Sequence, residues 1–275
     1  MEKASIIVNN APGERPPLNQ ASSFILHDGE AWASSPACAG TLPPGALRKM
    51  ARTKGRRRLT CHHEAGHALT RWYFGHKTDR ALVLTVDEVR AGKTVRNRKG
   101  VVIRDCEGIV EGYDIHGYPY GPMLTVGSAE EQAYSNYLRA INRDVELINC
   151  FAGIAAEAHY RHASASACML AGGIQDMRHA QGLVDAWDLP YEEQQALLRL
   201  SELRATALVR SKPGSAAIKA IADALMERGR LTGEQIARLC RKAYASRECA
   251  HSAWNAHWPA MPKQIRAGFI PERLP

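Results

Sequence analysis

The stretch LTCHHEAGHALTRWYFGHK, residues 59–77, holds four histidines and a single carboxylate. His63 and His67 stand four positions apart in an H-E-x-x-H pattern. On a helix such residues share a face, with Cβ atoms about 5–6 Å apart, so two imidazoles can grip one metal ion. Glu64, one step round the helix, can reach a water on that ion without ligating it, which is where a general base for metal-assisted hydrolysis belongs. The plain alternative is a solvent-exposed helix that happens to carry histidines. Gly66 argues against it, because an interior glycine costs a helix about 1 kcal/mol relative to alanine. A neighbour packed close to that turn is therefore expected.

A catalytic zinc takes three protein ligands and keeps one position open. The metzincin spacing does not supply the third, since Thr70 and Tyr73 stand where a glycine and a histidine would be needed, and His76 lies too far along the helix. Two later carboxylates offer themselves: Glu157 in CFAGIAAEAHY and Asp176 in AGGIQDMRHAQGL. Either could instead cap or orient a helix.

These residues need elements to hold them. From Thr60 to Phe74 the apolar residues recur at helical spacing, with Thr60 as N-cap and Gly75 as the stop. The β-branched runs ALVLTV (81–86) and GVVIRD (100–105) read as a small sheet or hairpin, and 107–127 as an irregular loop. Helical periodicity then covers 128–140, 144–162, 175–187, 190–211, 215–228 and 233–245. Pro190 suits a first turn, and TGEQ (232–235) has capping-box spacing. Residues 1–58 are expected to be a disordered or weakly ordered basic arm, 59–249 the folded domain, and 250–275 an irregular tail.

Three motifs in order, CHHEAGHAL (61–69), INCFAGIAAEAHY (148–160) and GGIQDMRHAQGL (172–183), resemble the peptidase domain of FtsH-type ATP-dependent zinc metalloproteases. The closing AAIKAIADALMERGRLTGEQIARL (216–239) is similar to that family's last helices. The resemblance implies a mainly α, zincin-like helical peptidase domain with a small β-sheet or hairpin after the zinc-binding helix. It implies one zinc held by His63, His67 and Asp176, with Glu64 as general base and Glu157 as a supporting carboxylate. The chain departs from the family in lacking an ATPase module and membrane helices. RAGKT (90–94) is no P-loop, because Asp87 stands where its first glycine is required, so no ATP site is expected. His67 and Asp176 are also 109 positions apart, longer than the family pattern, and Gln175 replaces an asparagine.

The expected function is a stand-alone zinc endopeptidase acting on flexible or unfolded protein segments. The alternatives are a dedicated cleaver of one regulatory protein and a non-catalytic metal-binding scaffold that keeps the fold. Expected partners are a protein or peptide substrate, an unfoldase in trans and further copies of the chain. Seven scattered cysteines without a C-x-x-C pair favour a reducing compartment. With no signal-peptide pattern and no run of ~20 apolar residues, a cytoplasmic location without a membrane span is expected. Residues 1–60 carry nine Lys/Arg against four Asp/Glu, whereas 61–275 carry 27 against 24. The excess lies in RKMARTKGRRR (48–58), read as a solvated linker in preference to a contact with nucleic acid, acidic lipid or an acidic partner.

Overall fold

Helix α1 spans Lys54–Tyr73 and ends at Gly75, whose φ of 78° lies in the left-handed region that glycine tolerates. It begins six residues before the expected N-cap, so Thr60 lies within it and donates its hydroxyl to the Arg56 carbonyl at 3.3 Å. The computed structural model describes residues 54–103, 106–113, 126–245 and 260–268; the expected arm before Lys54 lies outside these. The basic run is thus partly helical, and Arg57 is built into the fold. Its guanidinium donates to the carbonyls of Leu84, Leu225 and Met226 at 3.1, 2.9 and 2.7 Å. The last two lie in the final turn of helix α7 (Lys212–Arg228), where Leu225 also accepts the Gly229 N–H and a cation meets the negative end of the helix dipole.

From Cys61 onward α1 is buried on nearly every side, packed against α7 and against α3, Ala129–Arg161. Helix α3 has 33 residues, about 50 Å at 1.5 Å per residue. It opens on a Ser128–Glu131 capping box and closes on His162 in the left-handed conformation. It replaces the two helices expected at 128–140 and 144–162. Asn142 and Arg143, in the expected gap, are buried helical residues.

Strand β1 (Lys77–Val83) leaves α1 and is followed by the short helix α2 (Val86–Arg90), β2 (Val95–Arg96), β3 (Val102–Ile103) and β4 (Gly108–Tyr113). With β5 (Arg230–Thr232), the main sheet has the order β4-β1-β5, antiparallel throughout, with Leu82 opposite Ile109 and Ala81 opposite Leu231. Strands β2 and β3 form a separate antiparallel pair. The segment 108–113, expected as loop, is therefore the partner of β1. A small apolar cluster of Leu82, Leu84 and Val95, with Ile103 and Ile109 against it, ties the pair to the sheet.

After α3 come α4 (Ala165–Ala171), α5 (Ile174–Asp185), α6 (Tyr191–Arg210), α7 and α8 (Gly233–Tyr244). The Thr232–Gln235 capping box of α8 is present as expected, while Pro190 caps α6 instead of entering its first turn. Helix α9 (Pro262–Arg266) lies in the expected tail but packs on α6 through the fully buried Ile265, with Arg204 Nε donating to the Ala260 carbonyl at 3.2 Å. The architecture is mainly helical with a small antiparallel sheet. Among the described residues no helix is long and apolar enough to cross a membrane.

Candidate metal centre

Three elements converge on the H-E-x-x-H turn: α1, the middle of α3 and the start of α5. On α1, His63 and His67 face α3 with Nε2 atoms 3.1 Å apart. Asp176, in the first turn of α5, brings Oδ2 to 3.0 Å from His63 Nε2 and Oδ1 to 3.7 Å from His67 Nε2. A zinc tetrahedron with bonds of 2.0–2.2 Å has edges of roughly 3.3–3.6 Å, so these separations bracket what one ion requires.

Hydrogen bonding fixes which ring nitrogens face the cluster. His67 Nδ1 lies 2.9 Å from the Asn149 carbonyl of α3, and since a carbonyl only accepts, Nδ1 carries the proton and Nε2 presents a lone pair inward. Behind His63, the Glu157 carboxylate stands 3.8 Å from Nδ1 and accepts from Arg161 Nη1 at 3.0 Å. Glu157 therefore sits on the outer nitrogen of His63 and Asp176 on the inner one, which separates the two carboxylates that sequence reasoning left as alternatives.

The charges agree with this reading. Burial would lower the His63 pKa, but Asp176 and Glu157 outweigh it and raise it to about 10. Burial would raise the Asp176 pKa, yet the two imidazoles hold it well below the usual carboxylate range. Two imidazole nitrogens and a carboxylate pointed at one another need a positive charge between them. A proton serves one pair; a divalent cation serves all three, and an N,N,O donor set suits zinc.

Glu64 is buried on the same turn, against the Gly108 backbone at the start of β4. Burial raises its pKa, while His67 and His63 pull the other way. A carboxylate so placed can take a proton and give it back.

Glycine makes the approach feasible. A Cβ on Gly66 would run into the Ala152 carbonyl oxygen and come within 2.9 Å of Ala156 Cβ, the close neighbour its helix cost implied. Sequence reasoning missed Gly153 on α3, where a Cβ would fall 2.5 Å from His67 Nε2 and 2.6 Å from His63 Nε2. The same signal was available, a glycine inside a helix. Asn149 and Arg161 were missed too, because a backbone carbonyl and a carboxylate's partner have no spacing signature.

Of the other histidines in the opening stretch, His62 stacks on Tyr160 with ring centroids 4.0 Å apart. Burial first, then Arg58, lowers its pKa to about 4. His76 is buried away from the cluster. The cleft is lined by Arg56, Leu59, Ile103, Cys106, Ile109 and Val110, besides the residues above. The Cys106 thiol donates to the Gly108 carbonyl and is not one of the three converging donors. No family model matches the chain, and no curated protein matches its sequence.

Proposed function

We propose that the chain is a zinc-dependent endopeptidase of zincin-like fold that hydrolyses peptide bonds in flexible or unfolded protein segments. The observation that carries this reading is the convergence of His63, His67 and Asp176 beside the buried Glu64. The motif resemblance to FtsH-type peptidase domains supports it. Held by those donors, zinc would supply a Lewis acid that polarises the scissile carbonyl and lowers the pKa of a water from ~15.7 towards ~7.

Glu64 takes a proton from the attacking water onto its carboxylate and returns it to the nitrogen of the departing amine; its raised pKa suits both transfers. Asn149 holds the His67 ring in the tautomer that leaves Nε2 unprotonated. The peptide would lie beside β4. Strand β1 offers it no edge, because it is the central strand of the sheet. Among the described residues nothing pairs with the outer edge of β4, and Gly108, Ile109 and Val110 line the cleft next to Glu64. Backbone pairing there holds an extended peptide without demanding a sequence. Folded proteins would become substrates only with an unfoldase acting in trans.

The test is cleavage of an unfolded casein-like substrate, with zinc content measured in the same samples. Wild type should cleave, and Glu64→Gln should keep its zinc and lose cleavage. Zinc bound without cleavage of this or any flexible peptide in wild type would replace the peptidase with a metal-binding scaffold.

A further inference from the structure

A second group of ligating side chains joins α3 to α5. Glu146 and Cys150 are one turn apart on α3, and His179 is one turn beyond Asp176 on α5. Their carboxylate oxygen, Sγ and imidazole nitrogen all lie within 4.8 Å of one another, with His179 Nε2 3.5 Å from Glu146 Oε1. Glu146 and Cys150 are buried, whereas the His179 side chain is 47% exposed and opens the group to solvent.

We propose that Glu146, Cys150 and His179 form a second metal site, for a divalent transition metal of zinc's class, which clamps α5 against α3. The proposal stands apart from the peptidase reading and does not depend on it.

Donor chemistry comes first. Sulfur, nitrogen and oxygen from Cys, His and a carboxylate are the ligands zinc accepts, while calcium and magnesium prefer oxygen alone. A tetrahedron with bonds of 2.0–2.3 Å has edges of roughly 3.3–3.8 Å, so binding must draw together donors that lie up to 4.8 Å apart. The half-exposed His179 ring has the room to swing inward, whereas Glu146 and Cys150 are held by the helix.

Charge bookkeeping favours the same assignment. On binding, the Cys150 thiol gives its proton to solvent as the sulfur–metal bond forms, and His179 gives up any proton on the ligating nitrogen. Thiolate and carboxylate then balance the dication. Without metal, burial keeps Cys150 a neutral thiol. Burial acts to raise the Glu146 pKa, but His179, Arg71 and His76 lie near enough to outweigh it. Neither state buries an unpaired charge.

The position of His179 gives the site a purpose. Asp176 lies three residues earlier on the same helix. A metal that fixes α5 at His179 also fixes the turn that delivers Asp176 to the first cluster.

Cobalt(II) tests this directly, because a thiolate ligand adds an intense near-ultraviolet sulfur-to-cobalt absorption that a His/carboxylate site lacks. The full chain, stripped by chelator and reloaded with cobalt(II), should bind two ions and show that band. Cys150→Ala and His179→Ala should each lose one ion and the band. A His63→Ala/His67→Ala double variant should lose one ion and keep the band. If Cys150→Ala fails to fold, the half-exposed His179→Ala still reads the site. One ion in wild type without a thiolate band, or a band that survives either Cys150→Ala or His179→Ala, would overturn the proposal and leave Glu146–His179 a plain ion pair. A band with loss of only the first ion would instead count against the peptidase centre alone.

Discussion

Gly66 on α1 faces the backbone carbonyl of Ala152 on α3 so closely that no Cβ fits between them. Alanine there would gain about 1 kcal/mol of helix propensity. The clash is with backbone, which cannot rotate aside, and overpacking of this kind costs about 1–3 kcal/mol. Gly66→Ala should therefore gain nothing from its propensity and be destabilised by up to about 2 kcal/mol in urea unfolding. Gly182 on α5 is the control, because a Cβ there meets nothing within 4 Å. Gly182→Ala should be stabilised by up to about 1 kcal/mol. Stabilisation of Gly66→Ala to the same extent as Gly182→Ala would mean that the two helices do not approach as described.

Asp176 and Glu157 address opposite nitrogens of His63, so their loss should differ in kind. Asp176→Ala removes a donor and should abolish stoichiometric zinc binding. Glu157→Gln leaves three donors in place and disturbs only the ring behind one of them. A drop in zinc affinity on the order of 10–100-fold is the usual scale for such a partner. Competition with a chromogenic chelator measures both. The reverse ranking would make Glu157 the ligand.

The H-E-x-x-H turn was legible because its geometry is local: five residues on a helix need no knowledge of the rest of the chain. The close neighbour of Gly66 was legible for the same reason. Strand β4 was not, because GIVEGY (108–113) has glycines at positions 1 and 5 and becomes a strand only by pairing with β1 some 30 residues away. The expected gap between 140 and 144 falls inside α3, where Asn142, a weak helix former, is a buried helical residue. The choice between Asp176 and Glu157 depends on which ring nitrogen each reaches, and spacing carries no such information. The basic run misled in a similar way: its charge was visible, but the three carbonyls awaiting Arg57 were not.

The metal-free and zinc-loaded forms should respond to pH in different ways. Without metal, Asp176 and Glu157 prevail over burial and raise the His63 pKa from 6.5 to about 10. A raised pKa stabilises the fold while the group is protonated. That contribution is complete below about pH 6.5 and is lost as pH climbs towards about 10. The depressed pKa of Asp176 acts only in strong acid, outside this window. Zinc needs the imidazole unprotonated, so its affinity should rise over the same window, by about tenfold per pH unit for one released proton. Thermal unfolding should show the Tm of chelator-treated protein falling from pH 6.5 towards 10, with that fall absent at saturating zinc. Parallel profiles for the two forms would contradict a shared proton and metal site.

Arg57 and Arg58 are neighbours in sequence with different energetic roles. The Arg57 guanidinium satisfies three carbonyls, two of them at the end of α7. A hydrogen bond to a charged group contributes about 1.5–3 kcal/mol, three on one guanidinium do not add, and Leu225 keeps the Gly229 N–H when the donor is lost. Arg58 instead pairs with Asp223 at 3.1 Å, with both side chains more than a third exposed. Such a pair is worth at most about 1 kcal/mol, and less in salt. Arg57→Ala should thus cost about 2–3 kcal/mol in denaturant unfolding with little salt dependence, and Arg58→Ala under about 1 kcal/mol, shrinking further in 0.5 M salt on the order of a few tenths. Similar small losses for both variants would return the whole run to the solvated linker that its composition suggested.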